Sequence, residues 1–291
     1  MTNPAVRAAI EDLQAVRGAG RAIVAAGVGS GLTALGAVAG GADVLAVYNT
    51  AVYRVKGLPT ALAFLPYDDC NRITFDAAPE VIAAAKDKPV IVGCGAHDPR
   101  RDVGRLVDAV QELGAIGVTN EPFVGMYDVT LTKTLEAAGL GFARELGLLR
   151  CAVERGLMGL GWAFDSEEAS RLVGAGVQIV GAMLREITSR PANSGPGNDS
   201  GGALEHAART LSPIVERVRR DQPDAFVLIH GGPLSDPASV ARALDLTGAD
   251  GYVTGSSGER HPVESAVASA IRAFTSLTTR RQPVDARPGA A

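Results

Sequence analysis

His230, Gly231 and Gly232 stand together at the end of the most apolar run in the chain, within "VLIHGGPLSDP". An imidazole titrates near neutrality, so at a strand end it can carry a proton or hydrogen-bond a ligand oxygen, and it can equally be a satisfied structural residue. One glycine suffices for a tight turn; two in succession suggest that something approaches the backbone closely. Further on, "GSSGER" offers the amide of Gly255 and the hydroxyls of Ser256 and Ser257 to an anion at a helix start. Tight structural turns are the plainer reading of the same residues.

Other polar groups fall at the ends of apolar runs, where a packed core would exclude them. His97 and Asp98 end "CGAHDP". Asp98 reads first as the cap of a helix starting near Pro99, and alternatively as a partner for the imidazole or a ligand for a divalent cation. Asn120 and Glu121 close the fourth run, Tyr48 and Asn49 the second, and "PYDDCN" places Asp68, Asp69 and Asn71 in a long second connection. Glu145 lies in the apolar frame "GFARELGLL", as an active-site base or a surface carboxylate. Cys94 reads as core, since no Cys, His and Asn set surrounds it. "GVGSGLTALG" has the glycines of a dinucleotide-binding turn, but the acid expected at the end of the next strand is missing: Asp43 begins that run, and Tyr48 and Asn49 end it.

Eight short apolar runs carry these groups, at 22–31, 43–49, 89–98, 116–120, 157–164, 177–183, 226–232 and 251–257. Their hydrophobicity is continuous, as in parallel strands covered on both faces. Helical patterns lie between them, for example Asp102 to Leu113 and Ser239 to Leu246, and four end in a glycine cue such as "LGAIGV" or "LTGADGYV". The repeat predicts one (β/α)8 TIM barrel over residues 1–279 with an N-terminal helix; active-site groups would then sit at the C-terminal strand ends, with anion sites after strands seven and eight. Were the irregular fifth run, "LMGLGWAF", a loop, a six-stranded doubly wound sheet would be the alternative. Of the two long connections, Leu184 to Leu204 is read as a lid or a disordered loop. The tail, 280–291, is expected to be disordered.

Composition narrows the function. The chain has 291 residues, 46% hydrophobic and 21% charged, and a net charge of −4 with no clustered basic face, which argues against nucleic acid as a partner. Arg7, Glu11, Asp12 and Arg17 interrupt any N-terminal apolar core, and no later segment reaches about 18 uncharged apolar residues, so no membrane span and a cytoplasmic location are expected. The three cysteines lack paired C-x-x-C spacing, which predicts reduced thiols. Apolar outer helices point to a homo-oligomer.

Taken in order, "GVGSGLTA", "VYNTAVYR", "LPYDDCNR", "CGAHDPRR", "GVTNEPFVG", "FARELGLL", "HGGPLSDP" and "GSSGERHPVE" resemble the phosphoenolpyruvate hydrolase-like family, also called TIM-barrel signal-transduction proteins and similar to the C-terminal domain of a plant virus-resistance protein. The resemblance spans about residues 7 to 275 and implies a barrel like those of the phosphoenolpyruvate/pyruvate superfamily, which make or break C–C, C–P or C–O bonds beside an oxoacid, often with Mg²⁺. By motif match the pocket would include Asn49, Arg54, Asn71, Asp98, Asn120, Glu145, His230, Ser256, Ser257, Glu259 and Arg260. The chain departs from the pattern at strand six, where Ala182 stands at the family's histidine, and at Glu121 and His97, which replace an aromatic and a small polar residue. The expectation is a lyase or hydrolase of a small anionic oxoacid or phosphorylated compound. His230, with a carboxylate among Asp98, Glu121 and Glu145 and with His97 nearby, would move protons; Gly231, Gly232, Ser256 and Ser257 would hold the anion, with Arg54 or Arg260 adding charge. Mg²⁺ is the candidate cofactor. The alternative is a non-catalytic barrel that senses a metabolite or binds a partner.

Overall fold

A computed structural model of the chain describes residues 3–185 and 202–277. Eight parallel strands close into a barrel in chain order: β1 (Ile23–Val28), β2 (Val44–Val47), β3 (Val90–Gly93), β4 (Gly117–Thr119), β5 (Met158–Ala163), β6 (Ile179–Met183), β7 (Phe226–His230) and β8 (Gly251–Thr254). Each lies within one of the eight apolar runs, and β8 pairs back onto β1 through Ile23 and Gly251. The irregular fifth run is a fully buried strand, so the doubly wound alternative is not adopted.

The runs are continuous because both strand faces are covered. Ile91, Met158, Leu160, Ile179, Phe226 and Leu228 fill the barrel interior, while Val47, Val92, Val118, Val180, Val227 and Ile229 pack beneath the helices. The helices are α1 (Pro4–Gly18), α2 (Gly31–Ala39), α3 (Asn49–Val55), α4 (Cys70–Ala85), α5 (Val103–Glu112), α6 (Val129–Ala137), α7 (Phe142–Glu154), α8 (Ser166–Gly174), α9 (Gly202–Asp221), α10 (Pro237–Thr247), α11 (Ser256–Glu259) and α12 (His261–Thr275). The repeated glycine cue has a backbone cause: Gly41, Gly114, Gly176 and Gly248 all have φ between 69° and 84°, the left-handed turn that redirects the chain into the next strand.

Three expectations change. The long second connection is mostly helical: α3, a 3₁₀ turn at Thr60–Phe64, and α4, whose first turn contains Asn71. Asp98 does not cap a helix; α5 starts at Val103 and is capped by Asp102, while Asp98 folds back onto Arg100. Ala182 points outward into the layer beneath the helices, and its neighbour Met183 faces the mouth, so the replaced histidine position removes no group from the pocket. The lid expected around 190–201 and the tail at 280–291 lie outside the described residues. No helix among the described residues is long and apolar enough to cross a membrane.

Candidate active site

Inward and outward positions alternate along a strand, so the barrel's parity decides what reaches the mouth. Gly117, Thr119 and then Glu121 face inward from β4; Leu160 and Trp162 from β5; Phe226, Leu228 and His230 from β7. The last member of each series, together with Tyr48, Met183 and Gly255, borders one cavity at the C-terminal strand ends. Small residues make room for the large ones: a methyl group at Gly93 would lie 2.6 Å from Cβ of Tyr48, and one at Gly181 would lie 2.5 Å from Cε3 of Trp162. The cavity holds about 80 Å³, space for roughly half a dozen waters at about 10–15 Å³ each. That is room for a small ligand.

His230 Nδ1 lies 2.7 Å from the carbonyl oxygen of Val253. A carbonyl only accepts, so Nδ1 carries the proton and Nε2 keeps its lone pair. Burial brings the imidazole pKa down to about 4; the Val253 bond opposes this and the charge of Arg54 adds to it. The ring is therefore neutral, with an unprotonated Nε2. Gly255 allows the approach, since a methyl group there would lie 2.8 Å from Cε1 of His230 and 3.3 Å from Nη1 of Arg54.

Glu121 supplies the carboxyl in the wall. Its Oε1 accepts a hydrogen bond from the Thr50 hydroxyl at 2.5 Å. Burial pushes the carboxyl up to about 7, against the Thr50 bond and the Arg54 charge, and the charge of Glu259 pushes the same way as burial. Near neutral pH it is thus half protonated, the state in which a carboxyl transfers protons most readily. The indole N–H of Trp162, also in the wall, lies close enough to Glu121 to favour its carboxylate form, although it falls short of full hydrogen-bond geometry.

Arg54 is fixed at two of its three nitrogens. Nε donates to Thr60 Oγ1 at 3.0 Å and Nη1 to Glu259 Oε2 at 2.8 Å, while the Tyr48 hydroxyl donates to Glu259 Oε1 at 3.3 Å. Burial works against the guanidinium charge, but Glu259 and then Tyr48 outweigh it and the group stays protonated. Among the described residues Nη2 donates to nothing. In the same cavity lining Gly231 and Gly232 have φ of 100° and 55°, conformations that side chains rarely adopt, which accounts for two glycines after His230. Ser256 and Ser257 complete this wall.

The remaining sequence-derived residues lie outside the cavity wall. Asn71 pins the loop after β3 through Gly95 N at 2.9 Å and Gly95 O at 3.1 Å. Asn49 holds the 3₁₀ turn through Ala63 O at 2.9 Å. Glu145, on α7, accepts from Asn120 Nδ2 at 2.6 Å and Val124 N at 2.7 Å, and Asn120 Oδ1 accepts from Trp162 N at 2.9 Å. This buried strut stands behind the wall; burial pushes its carboxyl up to about 8, against the bonds from Val124 and Asn120. His97 is largely buried beside Gly95, and Asp98 pairs with Arg100 at 2.9 Å. Arg260 borders a separate hollow, 3.8 Å from Glu264, and Glu259 lies behind Arg54 as its counter-ion. Sequence reasoning missed Thr60, Trp162 and Tyr252 as wall residues, and Thr50 as the partner of Glu121; counting parity from Leu160 would have found Trp162.

Fit to a divalent cation can be tested on these side chains. Mg²⁺ takes hard oxygen ligands, usually one or two carboxylates completed by waters and substrate. Among the described residues no three His, Cys, Asp or Glu side chains converge, and the wall contributes one carboxyl, Glu121, half protonated and in the field of Arg54. A single half-protonated carboxyl beside a buried guanidinium is a poor donor set for a resident Mg²⁺, which would have to draw most of its ligands from water and substrate. Likewise the glycine turn before α2 has a packing cause, because a Cβ at Gly29 would strike the Ala51 backbone of α3.

Comparison with known proteins agrees with this architecture. The chain is 33% identical over 260 residues to the ToMV resistance protein Tm-1(GCR237) and the ToMV susceptible protein tm-1(GCR26) of Solanum lycopersicum, covering 89% of this chain and 34% of each relative. It thus spans about a third of the length of these curated relatives. Among solved structures, 2,3-dimethylmalate lyase, a PEP mutase/isocitrate lyase superfamily member, matches at TM-score 0.58 and 16% identity over 97% of this chain and 93% of that one. Phosphonopyruvate hydrolase in complex with oxalate and Mg²⁺ matches at 0.55 and 13%, over 94% and 86%. At such identities the likeness shows the fold alone. The sequence model of the phosphoenolpyruvate hydrolase-like proteins matches residues 8–277, and the chain belongs to that family.

Proposed function

We propose that the barrel is an enzyme of lyase or hydrolase type that cleaves or forms a C–C, C–P or C–O bond in a small anionic oxoacid. The observation that carries this reading is one small cavity holding two proton carriers in opposite states: a neutral imidazole with a bare Nε2 and a carboxyl poised near neutrality. In this reading Nε2 of His230 takes the proton from a substrate hydroxyl or an attacking water, and Glu121 returns one to the departing carbon or oxygen. Arg54 holds the charge that develops on oxygen. Solved structures of the same fold, including oxaloacetate acetylhydrolase in complex with the product oxalate, support the substrate class.

A thermal-shift panel of pyruvate, phosphoenolpyruvate, oxaloacetate and phosphonopyruvate tests the site. A ligand present at 100 times its dissociation constant stabilises the fold by about 2.7 kcal/mol. At least one oxoacid is expected to raise the melting temperature; no shift with any of them would leave the glycine turns purely structural.

A second reading, a barrel that binds a metabolite and signals its presence without turnover, is favoured by the naming of the tomato relatives for virus resistance and susceptibility. Ligand stabilisation without conversion would select it. In either reading we propose self-association through α12, which buries no residue of its own and exposes Val267 at 57% and Phe274 at 70%. An apolar groove lined by Val24, Ala26, Val28, Leu32 and Ala37 runs beside its first turn. Light scattering is expected to give at least two chains per particle, reduced to one by Val267→Asp with Phe274→Asp; a monomeric wild-type chain would contradict this.

A further inference from the structure

We propose that Arg54, and no divalent cation, is the fixed positive charge on which this barrel seats its ligand's carboxylate. The inference rests on the small-oxoacid reading of the cavity and adds how that acid is held. A site of this kind must neutralise a carboxylate and polarise the carbonyl beside it. Either a metal ion or a guanidinium can do so, but the two demand different surroundings. A metal needs converging anionic oxygens; a guanidinium needs a counter-charge behind it and free N–H groups in front.

The surroundings here are of the second kind. Behind Arg54, Glu259 supplies a buried carboxylate at 2.8 Å, itself steadied by the Tyr48 hydroxyl. At its side, Thr60 fixes Nε. Nη2 has no protein partner among the described residues, and Arg54 lines this cavity as well as the hollow it shares with Glu259 and Arg260. With Nε and Nη1 already bound, the plane of the group is set before a ligand arrives, so little side-chain freedom is lost on binding. The inner position at the end of β3, which could present a metal-binding acid, is Gly93, filled by the Tyr48 side chain. That leaves Glu121 as the one carboxyl in the wall among the described residues. A dication placed against it would also face the positive charge of Arg54.

Calorimetric titration of the full chain with oxalate, once in excess Mg²⁺ and once in excess EDTA, tests this directly. The expected dissociation constants agree within about twofold in the two media. Arg54→Lys, which keeps a charge but loses the planar fork, is expected to weaken binding by about tenfold or more. Because Arg54 is buried, that variant's melting curve is recorded alongside; the wild-type comparison needs no variant and stands if Arg54→Lys does not fold. Oxalate binding seen only with Mg²⁺, or unweakened in folded Arg54→Lys, overturns the inference and leaves the oxoacid reading intact. Absence of binding in both media overturns the two together.

Discussion

Glu121→Gln is expected to lower turnover by about 10²- to 10⁴-fold while leaving ligand-induced stabilisation in place. Glutamine keeps the shape, and its carbonyl can still accept from Thr50, but it has no proton to give. The pH dependence identifies the role. His230 must be unprotonated to act as base, so activity falls on the acid side as pH drops through about 4. Glu121 must be protonated to act as acid, so activity falls on the alkaline side as pH rises through about 7. The wild-type profile of kcat/KM is thus a bell between those values, and Glu121→Gln retains the acid limb and loses the alkaline one. Steady-state rates across pH check this; an unchanged rate or an unchanged alkaline limb in the variant would remove Glu121 from the chemistry.

Glu259→Ala is expected to cost about 3–5 kcal/mol of stability, the penalty typical of leaving a buried charge without its partner. Arg54 and Glu259 have side-chain exposures of 9% and 0%, so water can do little to compensate. The Tyr48 hydroxyl loses a partner in the same step. Urea unfolding followed by circular dichroism, with stability taken by linear extrapolation, measures the effect. A loss below about 1 kcal/mol, the range of exposed ion pairs, would mean that the pair is not buried as described. An Arg54→Met, Glu259→Gln double variant should recover much of the stability, because neither remaining group would be charged, while losing the cavity's cation.

The fold was largely legible because barrel strands leave a strong trace. Burial on both faces makes the runs continuously apolar, and each αβ turn that needs a left-handed residue announces itself as glycine, as at Gly114 and Gly248. Function-bearing detail was less legible for a geometric reason. Glu121 and Glu145 both lie in apolar surroundings and both have raised pKa values. One projects from a strand end into the cavity and the other from a helix behind it, and only closure of the barrel tells them apart. Asp98 and Asp102 each precede the same helical pattern, and which of them reaches the free amides depends on how the intervening loop folds. Asn49 at a strand end and Asn71 in the connection beyond it are polar, as site residues would be, yet they spend their amides on backbone. Ala182 sits one position out of register with the mouth, so the replaced histidine carried less meaning than the sequence suggested.

The most direct test of the central claim, that the mouth of this barrel performs proton-transfer chemistry on a small oxoacid, is to follow pyruvate, phosphoenolpyruvate, oxaloacetate and phosphonopyruvate by NMR during incubation with the protein. The expected result is conversion of at least one of them by the wild-type chain and a loss of that conversion in Glu121→Gln. Binding of an oxoacid with no conversion of any of the four would contradict the catalytic reading and leave a metabolite-binding barrel in its place.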